Sequence, residues 1–231
     1  MNSKRIWELD FLRGLSLIIM IYYHIVFDLE FIFSYPVSVN EGVNYYAGKI
    51  ALVFILVSGI SSTLSKNKVK RGIKLLIVSL ILTLVTYLFS PILNSYVLFG
   101  ILHLLAFSII ISSIFSKIKP IFSFLTGIII IYFGTLIENI TTSIPFLFPF
   151  GITTDSFISS DYFPLIPWFG YYLLGMYIGR IFYKEKVSIF KFQIKNNFLN
   201  LMGKHSLTIY LIHQPIILLI LFLINGALNL L

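Results

Sequence analysis

The chain contains no cysteine, which excludes disulfide frameworks, thiolate metal sites and cysteine nucleophiles. It is almost as poor in charge. Of its 231 residues only 11% are charged, whereas 58% are apolar or aromatic and the mean hydropathy is +0.96. Soluble globular domains carry about a quarter charged residues. So few charges cannot cover a water-soluble monomer of this size, and the same scarcity excludes a disordered tail, a coiled coil and a nucleic-acid-binding domain despite the net charge of +8. Also missing are HExxH zinc spacing, a Walker A loop, a GxSxG nucleophile elbow and a DxD-type acidic pair. Neither a metal nor nucleotide hydrolysis is therefore expected. No small-residue cleavage site follows the first apolar run, so the N-terminus reads as retained.

What the chain does have is long apolar runs. A hydrocarbon core about 30 Å thick needs roughly 20 mostly apolar residues per helix. Seven segments fit: Leu9 to Phe33, Asn44 to Leu64, Ile73 to Ser90, Tyr96 to Phe115, Ile121 to Ile137, Phe163 to Phe182 and Leu199 to Leu228. The expected fold is an all-α polytopic membrane protein, a bundle of transmembrane helices forming one domain over residues 1–231.

The basic residues are distributed unevenly between alternate loops. Lys4, Arg5 and Arg13 open the first span, and Lys66, Lys68, Lys70, Arg71 and Lys74 follow the second. Lys117 and Lys119 follow the fourth, and Arg180, Lys184, Lys186, Lys191, Lys195 and Lys204 lie between the sixth and seventh. Of the 17 Lys and Arg, only Lys49 falls on the other side. The positive-inside rule makes the basic loops cytoplasmic, with the N-terminus inside, the C-terminus outside and the cytoplasmic membrane as the location. The Lys66 to Lys74 cluster has two readings, topology with lipid headgroup contact or an anion site. Opposite it, the long outer segment from Glu138 to Tyr162, broken by Pro145 and Pro149, is either a substrate-facing lid or a connector.

Ionisable groups inside a span are costly unless they pair or face water, so each is a candidate site residue. Arg13 and His24 are eleven residues apart, which returns to within about 20° of the same helix face and separates them by roughly 16 Å along the axis. His24 and Asp28 are neighbours at i and i+4. One stripe thus carries a cation near the inner surface, an imidazole past the midplane and a carboxylate to orient it, a geometry that suits a general base. The alternative is an arginine reaching headgroups above a buried structural His24–Asp28 pair. His103 enters the fourth span from the outer side at comparable depth, either sharing a polar cavity or bonding a neighbouring helix. In the last span Ser206, Tyr210 and His213 share a face, with Lys204 and His205 at the N-terminal end, where helix N–H groups favour an anion. A polar seam between helices explains the same face. Gly175 and Gly179 are read as close helix packing.

These segments resemble the prokaryotic members of the heparan-α-glucosaminide N-acetyltransferase catalytic-domain family, within the wider transmembrane acyltransferases. The resemblance is carried by Glu8, Asp10, Arg13 and Gly14 through His24 and Asp28; Phe54 to Gly59; Gly100 to His103; Pro167, Trp168 and Gly170 through Gly175 to Arg180; and Gly203 to Ser206 through His213, Gln214 and Pro215. It implies transfer of an acyl group, usually acetyl from cytoplasmic acetyl-CoA, to a hydroxyl or amine of a glycan on the outer side. In that reading Arg13, with Lys204, His205, Ser206 and His213, holds the donor. His24 deprotonates the acceptor or carries the acyl group, Asp28 fixes its tautomer, and His103 or Tyr210 stabilises the oxyanion. The partners are then acetyl-CoA, the glycan and membrane lipids, without nucleic acid, and a homodimer is left open. The rival reading is a small proton-coupled transporter whose path is lined by the same histidines and Asp28, although the chain shows no repeated halves.

Overall fold

The computed structural model describes residues 5–37, 41–93, 96–194 and 197–228; Lys4 and Lys195 lie outside the described residues. The elements are α1 (Trp7–Phe31), α2 (Glu41–Leu64), α3 (Lys68–Leu93), α4 (Ile101–Phe115), α5 (Pro120–Ile137), a short 3₁₀ helix (Pro145–Phe150), α6 (Leu165–Phe182), α7 (Phe198–Lys204) and α8 (Ser206–Leu228). No strand occurs among the described residues, and the fold is all-α. Trp7–Phe31, Lys68–Pro91, Pro120–Ile137 and Ser206–Gly226 are each long and apolar enough to cross a membrane. Ile77, Leu84 and Leu88 on α3, Ile129 and Phe133 on α5, and Leu219 and Leu223 on α8 are exposed. Such rows belong against acyl chains rather than water.

Helix boundaries follow local chemistry. Pro120 occupies the first turn of α5, where its missing N–H costs nothing. The Asn197 side chain caps α7 by accepting the Leu199 N–H at 3.0 Å. Two expected boundaries differ. The fourth helix starts at Ile101 instead of Tyr96, because residues 96–100 are not helical and bond to the segment before α6: the Ser160 N–H donates to the Tyr96 carbonyl at 3.1 Å and the Phe163 N–H to that of Phe99 at 2.9 Å. The expected last span from Leu199 is two helices, broken at His205, whose backbone leaves helical geometry.

The chain divides into two compact units, Met1–Phe54 with Val187–Leu231, and Ile55–Lys186. In the first, the order of contacts gives directions. A Cβ at Gly14 would strike the Leu199 backbone, and one at Gly203 the Asp10 backbone. Rising numbers on α7 thus meet falling numbers on α1, so the two run antiparallel. Along α8 the order is reversed: His24 meets His213, Phe33 meets Phe222 and Tyr35 meets Asn225. The helix α8 runs parallel to α1, and the chain turns back at His205.

The second unit pairs α5 with α6 and α3 with α4. Its α2 and α6 segments approach through glycine: a Cβ at Gly175 would strike the Leu56 carbonyl. This bears out close packing as the role of that glycine. Gly175→Leu is expected to prevent that approach and lower the melting temperature in detergent by several degrees, the cost of forcing methylenes into a filled site.

The segment from Glu138 to Tyr162 is fastened down within this unit. The Asp161 carboxylate accepts the Ile101 N–H at 3.1 Å, and the Tyr162 hydroxyl donates to the Phe148 carbonyl at 2.6 Å. Burial pushes that phenol up to about 12, so it remains a neutral donor at physiological pH. The segment is tied to the start of α4.

Candidate functional site

The first unit holds two polar clusters, one at each depth of α1. At its N-terminal end Asp10 is buried and shared: Arg13 Nη1 donates to Oδ1 at 2.9 Å and Arg5 Nη1 to Oδ2 at 3.2 Å. Two guanidiniums thus share one carboxylate. Beside them, buried Glu8 accepts the Ile189 N–H through Oε1 at 3.0 Å, and the Trp7 ring packs on Phe190 and Phe192. The basic connector before α7 is thereby pinned to the start of α1. Lys204 and His205 are exposed at the turn, and Ser206 opens α8 half-buried. Neither Lys204 nor His205 has a carboxylate partner among the described residues.

The deeper cluster brings α1 and α8 together. The rings of His24 and His213 lie 5.0 Å apart, centroid to centroid, and the Tyr210 ring is 5.5 Å from that of His213. His213 is only 8% exposed. Its Nδ1 lies 2.6 Å from the Tyr210 backbone carbonyl. A carbonyl only accepts, so Nδ1 carries the proton and the neutral ring presents its lone pair at Nε2. That Nε2 is buried and has no hydrogen-bond partner.

Asp28, 1% exposed, does not orient His24. Both its oxygens accept from Gln214 Nε2, at 2.9 and 2.8 Å, and no hydrogen bond joins it to His24 among the described residues. The expected aspartate–histidine pair is corrected to an aspartate–glutamine clamp between α1 and α8. The i, i+4 spacing placed the two side chains on one face, but an amide on a neighbouring helix offers a better-aligned donor than a ring on the same helix.

His103 belongs to the second unit. Its Nδ1 accepts the Gly100 N–H at 3.2 Å, which puts the proton on Nε2, donating to Thr83 Oγ1 at 3.2 Å. Phe99 stacks on the ring. The structure gives this histidine the work of capping α4, and an oxyanion role would require it to leave Thr83. No group of three or more potential metal ligands occurs among the described residues.

The model of the heparan-alpha-glucosaminide N-acetyltransferase catalytic family matches residues 5–215. The chain belongs to this family. No curated protein and no solved structure matches it. The matched stretch opens at Arg5 of the inner cluster and closes at Pro215, directly after His213 and Gln214. Both polar clusters of the first unit therefore lie inside the part that defines this membrane acetyltransferase family.

Sequence reasoning missed three of the residues that build these clusters. Asp10 lies three before Arg13, a spacing that favours an ion pair on a helix, so its signal was present. Gln214 stands in the motif that carries the family resemblance, but bearing no charge it gave no sign of its partner. Glu8 meets a backbone N–H far along the chain, which no local pattern reveals.

Proposed function

We propose that the protein transfers an acetyl group from cytoplasmic acetyl-CoA to a hydroxyl or amine of a glycan on the outer side of the cytoplasmic membrane. The carrying observation is the buried, unpartnered Nε2 of His213 beside His24. A base needs an unprotonated nitrogen aimed at its substrate, and the Tyr210 carbonyl holds the ring in that tautomer. The acceptor O–H or N–H gives its proton to Nε2 while its oxygen or nitrogen bonds to the thioester carbonyl carbon. The tetrahedral intermediate then expels the CoA thiolate, which takes the proton from the imidazolium. His24, with no partner fixed by Asp28, is free to donate to the developing oxyanion.

Lys204 and His205, exposed and without carboxylate partners, suit the donor's phosphates. Arg13, held on Asp10 beside Arg5, adds a guanidinium at the N-terminal end of α1. The pantetheine arm would run along α8 from Ser206 toward His213. A thiol-reactive dye tests the reading with little background, because the chain has no cysteine. Addition of acetyl-CoA and an amino sugar or glycan acceptor should release one thiol per acetyl group transferred. Folded protein that releases no thiol with any hydroxyl or amine acceptor counts against it.

A further inference from the structure

The second unit contains a cavity, edged by two cations and three serines, that the His24–His213 chemistry does not use. Ser58, Ser62 and Ser65, from the end of α2 and just beyond, line it together with Lys68 and Arg71 from the start of α3. Its apolar wall is built by Leu105 and Ile109 of α4. Lys68, Arg71 and Leu75 fall at i, i+3 and i+7, so one helix face points both cations into the cavity. Lys70 falls on the far side of the helix, and both it and Lys74 are exposed.

Positive charge here is uncompensated. Lys68 donates to Ser116 Oγ at 2.6 Å, and Arg180, close enough to repel Lys68, donates to the Phe115 carbonyl at 2.8 Å. The guanidinium of Arg71 has no hydrogen-bond or ion-pair partner, and none of the three cations meets a carboxylate, among the described residues. A topology signal alone requires only that cations lie near the surface. It does not require a lysine and an arginine to line one cavity beside serines while Lys70 on the same segment faces away.

We infer that this cavity binds a phosphate ester, with Lys68 and Arg71 donating to its oxygens and the serines forming the wall beside them. Phosphate ester chemistry reaches a basic membrane surface from two sources. One is the adenosine 3′,5′-bisphosphate portion of CoA, in which case Lys68 and Arg71, and not Lys204 and His205, hold those phosphates and the inference rests on the acetyl-CoA reading above. The other is an anionic lipid headgroup.

The test uses full-length protein in phosphatidylcholine nanodiscs. Two probes are measured separately, adenosine 3′,5′-bisphosphate in solution and phosphatidylglycerol added to the disc. Arg71→Gln and Lys68→Gln should each weaken binding of one probe by about tenfold to a hundredfold, the size of a lost charge-assisted hydrogen bond. Lys70→Gln removes the same charge from the far side of the helix and should weaken it by less than about threefold. Selective loss of the bisphosphate identifies the donor, and selective loss of phosphatidylglycerol identifies the lipid. Equal loss in the inward and outward variants, or binding of neither probe to the unmodified protein, overturns the inference. Arg71 is exposed, so its variant folds and decides the matter even if Lys68→Gln does not. The bisphosphate carries no acetyl group. Protein that binds it through Arg71 yet releases no thiol from acetyl-CoA keeps the site and loses the transfer reading.

Discussion

His213→Ala is expected to lower acetyl transfer by about 10² to 10⁴-fold, the range that a positioned general base contributes, while donor binding stays within a few-fold. The loss should appear in kcat, because the imidazole acts on the proton that moves in the transition state and not on the phosphates that anchor the donor. His24→Ala should cost less than His213→Ala if it only supports the oxyanion. The double variant should then lose less than the product of the two single losses, since the rings lie 5.0 Å apart and serve one step. Partial rescue of His213→Ala by added imidazole would show that a missing base, and not a collapsed cavity, explains the loss. A thermal melt that matches the unmodified protein completes the comparison.

The second large effect is expected at Gln214→Leu. This change leaves the Asp28 carboxylate, 1% exposed, without the Nε2 donor that both its oxygens use. A lost hydrogen bond to a charged group costs about 1.5 to 3 kcal/mol, and a buried group left unsatisfied costs more than one whose partner is removed with it. The paired variant Asp28→Leu with Gln214→Leu should therefore recover much of the stability lost by Gln214→Leu alone. Thermal melting of the four proteins in detergent measures that coupling. Transfer should fall in Gln214→Leu too, because the clamp sets the register of α8 on α1 and so the spacing of His24 and His213. Asp28 and Gln214 act here as positioning residues.

Much of this arrangement was legible in the sequence, and the rest was hidden for identifiable reasons. Counting residues along one helix put Arg13, His24 and Asp28 on one stripe, and apolar run length found the helices that carry them. Partners on other helices were beyond that arithmetic. Asp28 turned out to face Gln214 because a side chain's best donor depends on how α1 and α8 pack. The tautomer of His213 depends on a carbonyl three residues back, whose reach is visible only in coordinates. Likewise Leu199 to Lys204 continue the apolar pattern of α8 without a break. The reversal at His205 was signalled only by Gly203, whose missing Cβ lets α7 lie against the Asp10 backbone. His103 was conspicuous as a buried histidine, yet its nitrogens serve Gly100 and Thr83. An imidazole in an apolar span draws attention whether it caps a helix or performs catalysis.

Transfer across the membrane is the central claim, and sealed proteoliposomes test it most directly. With acetyl-labelled acetyl-CoA supplied only on the side of Lys204 and a glycan acceptor only on the other, the label should appear on the acceptor. It should do so with the unmodified protein and not with His213→Ala. Label that remains on acetyl-CoA in the presence of folded protein, or that reaches the acceptor equally well with His213→Ala, would contradict the account.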